Sequence, residues 1–187
     1  MTTSRALDRS LEREREDLEA LLADVLVSVL SEEAEVVGTL PAPDGDLEGA
    51  PAALLAIHDE TDDSYLGVHV RVAPALARIL AARMLACDEP APEDLLDAVG
   101  ELGNIAGGNV KSLLFTSARL SLPSATLEDA GLPPAREPWV EPTVIRALVL
   151  GEPVELALVP HVDGDGLLWP PSSTGSPTRP EVLEAQS

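Results

Sequence analysis

Apolar residues recur along this chain at two spacings. From Pro92 to about Phe115, Leu95, Val99, Leu102, Ala106, Val110 and Leu113 return every three or four positions. A helix places such positions on one face, so these residues predict a long helix with a buried stripe. The opposite stripe carries Asp97, Glu101, Asn104 and Gly108, with Glu93 and Lys111 at its edge. The same residues therefore specify a core side and a presented side bearing an acid and a carboxamide one turn apart.

The rest of the chain divides by the same criteria. Ser4 to Ser31 is helical in character: its opening, through Asp17, is charged all round, and Leu18, Leu21, Leu22, Val25, Leu26 and Val29 then form an apolar stripe. Pro74 to Ala86 reads as a second helix, with Leu76, Ile79, Leu80 and Met84 as its apolar positions. Strands are expected at Glu35–Leu40, Ala53–His58, Tyr65–Val72, Val144–Leu150 and Val154–Pro160. In the third of these, Val68, Val70 and Val72 alternate with His69 and Arg71, the pattern of a half-buried strand. Arg119–Leu127 reads as a strand interrupted by Pro123, which assigns it to an edge or bulge. Thr61-Asp62-Asp63-Ser64 suits a hairpin, so the sheet is expected to be largely antiparallel and the class α+β. These readings predict a charged extension over 1–17, one domain over 18–162 and a Pro/Ser-rich disordered tail over 163–187.

Composition narrows the chemistry. The chain has 187 residues and a formal charge of −21. Such a charge repels phosphate backbones and anionic membranes and suits a basic partner, so neither nucleic acid nor a membrane is expected as a ligand. Cys87 is the only cysteine, so no intrachain disulfide can form. With a charged N-terminus, no secretory signal and no spanning apolar run, a cytoplasmic protein is expected. His58, His69, His161 and Cys87 lack the short matched spacings of a metal site. Phosphate-cradling glycine loops and a Gly-x-Ser-x-Gly motif are missing. Gly107-Gly108 falls inside the long helix, where close packing is the expected role, and Asn109 is expected to make a structural hydrogen bond.

Asp97-x-x-x-Glu101-x-x-Asn104, the following Ile-Ala-Gly-Gly-Asn and then Leu120-Ser121-Leu122-Pro123 resemble the CheC/CheX/FliY phosphatases, and CheX most of all. A single Glu-x-x-Asn pair, where CheC-type proteins have two, supports CheX over CheC. The acidic N-terminal extension and the Pro/Ser tail are not features of the family. The resemblance implies a protein that removes the phosphate from a phosphorylated CheY-type response regulator, and it implies a homodimer. It assigns Glu101 to the regulator's active-site lysine and Asn104 to the attacking water, with Asp97, Gly108 and Lys111 on the partner-facing side. No cofactor of its own is implied; the Mg²⁺ would sit on the regulator.

The residue types suit these roles. An amide accepts from and donates to one water at once, and a glutamine orients water in GTPases. A carboxylate meets a lysine through a charge-assisted contact. Two other readings of the same residues stay open: a non-catalytic module that docks on a receiver domain, and an adaptor that uses its acidic surface to hold a basic partner.

Overall fold

The computed structural model describes residues 11, 13–30, 34–38, 47, 49–61, 63–127 and 141–160. The expected tail over 163–187 and most of the loop over 41–51 lie outside them. Among the described residues, these elements follow in chain order: α1 (Arg15–Leu30), β1 (Ala34–Gly38), β2 (Ala52–Asp59), β3 (Ser64–Val72), α2 (Pro74–Leu85), α3 (Pro92–Leu114), β4 (Ala118–Leu120), β5 (Ser124–Thr126), β6 (Thr143–Val149) and β7 (Glu152–Pro160).

The seven strands form one sheet in the order β1-β6-β7-β3-β2-β4, with β5 also paired to β2. Every pairing is antiparallel. The class is α+β, as the hairpin signal predicts. Pro123 separates two short strands that both pair with β2 at the sheet margin, where a residue without an N–H is tolerated.

One face of the sheet meets the helices. Val68, Val70, Leu156 and Ile145 from the strands share a core with Leu18, Leu22 and Leu26 of α1, Leu76 and Leu80 of α2, and Val99, Leu102 and Val110 of α3. Leu11, within the stretch expected to be a charged extension, is buried in the same core.

The other face departs from the half-buried pattern read in β3. His69 is only 1% exposed, and Leu54 and Ala157, its register neighbours on β2 and β7, are buried too. Alternation reports which residues face the helices, and it is silent on whether the reverse face is also covered. Two residues further along β3, Arg71, Glu155 and Arg146 stand side by side across β3, β7 and β6. Glu155 is 3% exposed. It accepts from Arg146 Nε at 2.8 Å and also from Arg146 Nη2, and it lies 3.6 Å from Arg71 Nη1. Arg71 Nη2 donates to the Leu47 carbonyl at 2.7 Å.

Two further expectations are corrected. Leu113 continues the spacing of the α3 stripe but is 36% exposed, because it faces an open groove between α1 and α3. Met84 continues the α2 stripe but is 42% exposed, because α2 ends one residue later. That ending is sharp: Ala86 turns left-handed at φ 51°, and the Cys87 N–H donates to the Ala82 carbonyl at 3.0 Å. A left-handed non-glycine residue costs about 1–2 kcal/mol.

Candidate functional site

Helix α3 starts where its sequence places a start. Pro92 occupies the first turn, and the Asp94 carboxylate accepts the Ala91 backbone N–H at 2.7 Å. Acids in the first turn also suit the positive end of the helix dipole. Leu95, Val99, Leu102, Ala106 and Val110 are buried as the periodicity predicts.

Beside that stripe runs a second line of contact, made of glycines. Each interior glycine costs a helix about 1 kcal/mol relative to alanine, and α3 carries four of them. Two are explained by the sheet beneath. A Cβ on Gly103 would sit 2.8 Å from the Ala53 Cβ, and one on Gly107 would sit 2.5 Å from Leu55 Cδ1. The helix therefore lies closer to β2 than any side chain would permit, and it is fixed against a strand whose Ala53 and Leu55 belong to the core. Gly108 differs: nothing lies within 4 Å of its would-be Cβ. The close-packing role expected of the Gly107-Gly108 pair belongs to Gly107 alone.

These contrasts yield a prediction. Gly103→Ala meets a Cβ that no rotamer can move, so overpacking of about 1–3 kcal/mol should outweigh the gain in helix propensity. Gly108→Ala should instead stabilise the fold by about 0.5–1 kcal/mol, while weakening any complex that needs close approach there. Thermal melts of the two variants, with partner binding for the second, check both signs.

The side chains singled out by sequence are presented outward. Asp97, Glu101 and Asn104 are exposed, and Gly108 and Lys111 are half-buried along the same line. Neither Glu101 nor Asn104 forms a side-chain hydrogen bond with a described residue, and Lys111 forms no ion pair with one. Asn109 is exposed, and its amide donates to the Ile105 carbonyl at 2.9 Å, the local bond expected of it. Among the described residues, no cluster of three or more His, Cys, Asp or Glu side chains is arranged to hold a metal ion.

Glu101 and Asp97 lie in an open groove of about 620 Å³. Besides α3 itself, it is lined by Met84 and Leu85 at the end of α2 and by Pro123 and Ala125 after β4. Pro123 approaches the helix at Gly100, whose would-be Cβ lies 4.0 Å from the proline Cγ. Sequence reasoning did not place this lining. Met84 fits the α2 core stripe by period, so only the position of the helix end reveals that it is presented.

Helices laid on an antiparallel α+β sheet are a fold this chain shares with solved structures of CheX, CheC-like and FliY proteins. The sequence profile of the family described as "Chemotaxis phosphatase CheX" matches residues 54–133, a span that contains α3 and the Leu-Ser-Leu-Pro segment. No curated protein shows a significant sequence match to the chain. Among solved structures, the chemotaxis protein CheX from Vibrio vulnificus is 17% identical, with a TM-score of 0.60, covering 76% of this chain and 92% of its own. A chain of the CheX–CheY–BeF3–Mg²⁺ complex from Borrelia burgdorferi is 14% identical, with a TM-score of 0.59 and coverages of 78% and 96%. FliY from Thermotoga maritima is 16% identical, with a TM-score of 0.53 and coverages of 89% and 94%. The chain matches the CheX family profile over 54–133 and shares the CheX fold over 76% of its length. No helix among the described residues is long and apolar enough to cross a membrane.

Proposed function

We propose that this chain is a phosphatase for the aspartyl phosphate of a CheY-type response regulator. The observation that carries the reading is the outward pair Glu101 and Asn104, one turn apart on a helix fixed to the sheet through Gly103 and Gly107. A site that works on a partner's acyl phosphate must protrude, and it must be rigid. The match to the CheX family across this helix, and the CheX–CheY complex among the structural relatives, support the same reading.

In this proposal Glu101 accepts the regulator's active-site lysine and sets the register of the complex. Asn104 holds a water in line with the phosphorus. The water attacks, the bond from phosphorus to the aspartyl oxygen breaks, and the aspartate leaves as a carboxylate. The Mg²⁺ that neutralises the phosphoryl oxygens belongs to the regulator. Positioning supplies most of the rate in such transfers, so this chain needs neither a nucleophile nor a metal. Asp97, Gly108 and Lys111 flank the contact. The homodimer implied by the resemblance and the cytoplasmic location expected from the sequence belong to the same proposal.

Glu101→Gln tests the lysine role. The KM for the phosphorylated regulator should rise about three- to tenfold at low ionic strength. The difference should shrink at high salt, because screening weakens the charged contact that the variant lacks. Equal KM values for parent and variant at every salt concentration would remove Glu101 from the interface.

A further inference from the structure

Exposed large apolar side chains gather beside the proposed site. Met84 and Leu85 (42% and 51% exposed) form one wall of the groove holding Glu101. Pro123 lines the same groove, and its chain neighbour Leu122, outside the lining, is 90% exposed. Isolated exposed leucines are ordinary, but exposed apolar residues gathered around one groove mark an interaction surface. The groove's acidic lining narrows the partner. Asp97 and Glu101 line the same groove in a chain of charge −21, so a partner seated there must bring cationic groups.

We propose that Met84, Leu85 and Pro123, which line this groove, form together with the adjoining Leu122 a specificity clamp, selecting a regulator whose surface beside its phosphorylation site carries an apolar side chain ringed by basic ones. The inference rests on the phosphatase reading for the identity of the partner. The clamp touches none of the reacting atoms. It acts through binding, by deciding which regulator brings its phosphate to Asn104. The left-handed turn at Ala86 ends α2 right after Leu85 and leaves this wall uncovered.

The test uses the full chain and the double variant Met84→Ser/Leu85→Ser, whose side chains are too exposed for the change to unfold the domain. The CheY-type receivers of the same genome serve as probes. Each is used phosphorylated for turnover and beryllofluoride-loaded for binding. For the receiver that the parent acts on, KM and Kd should both rise about tenfold in the variant, with kcat within twofold of the parent. Added salt should weaken parent binding. An unchanged KM and Kd in an active enzyme would overturn the clamp and leave the phosphatase reading intact. Binding that the serines weaken, in a parent that hydrolyses nothing, would uphold the clamp and defeat the phosphatase reading. If no receiver binds, or if the serines instead dissociate a homodimer in sedimentation, the clamp is overturned.

Discussion

Asn104→Ala is expected to abolish the proposed phosphatase activity and to leave the fold intact. The expected loss is roughly 100-fold or more in kcat, the scale on which a misplaced reactant slows an enzyme. KM should change little, because in the proposed mechanism the amide acts on the water in the transition state rather than on the bound regulator. Asn104 is exposed and makes no side-chain hydrogen bond with a described residue, so truncation removes no support. Alanine is also the better helix former, so the melting temperature should hold or rise slightly. Parallel single-turnover decay and thermal melts check both halves. A variant as active as the parent would remove Asn104 from the mechanism, and an unfolded variant would show that its role is structural.

Glu155→Ala should show the opposite pattern: a large loss of stability with kcat of the folded protein unchanged. The carboxylate lies between Arg71 and Arg146 on the face of the sheet turned away from α3. The two arginine side chains are each 17% exposed. Removing one member of a buried ionic group leaves uncompensated charge and costs about 3–5 kcal/mol. That is a large share of the roughly 5–15 kcal/mol that holds a domain together. A fall in melting temperature of about 10 °C is expected. Replacing all three residues with apolar ones of similar volume should recover much of the loss, since burying charges is itself expensive. A Glu155→Ala protein that melts with the parent would show the triad to be energetically idle.

How far the sequence foretold the structure can be followed residue by residue. The helix predicted from Pro92 to Phe115 is observed at Pro92–Leu114, because the apolar period runs uninterrupted and Pro92 marks its start. Glu101 and Asn104 were legible as an outward pair for the same reason. The glycine line was only half legible. Helical spacing places Gly103 and Gly107 on one side, but the contact they serve, with Ala53 and Leu55, joins segments about fifty residues apart in the chain. The groove walls were not legible, since Met84 and Pro123 reach α3 only through tertiary packing. Nor was the burial of His69, since period two tells a strand's faces apart without saying what covers each.

The central claim is that this chain hydrolyses a receiver's aspartyl phosphate. Its most direct test is the decay of radiolabelled phosphate on each CheY-type receiver of the same genome, with and without the purified protein. At least one receiver should lose phosphate many times faster when the protein is present, releasing inorganic phosphate in equal amount. Decay at the spontaneous rate for every receiver would contradict the account.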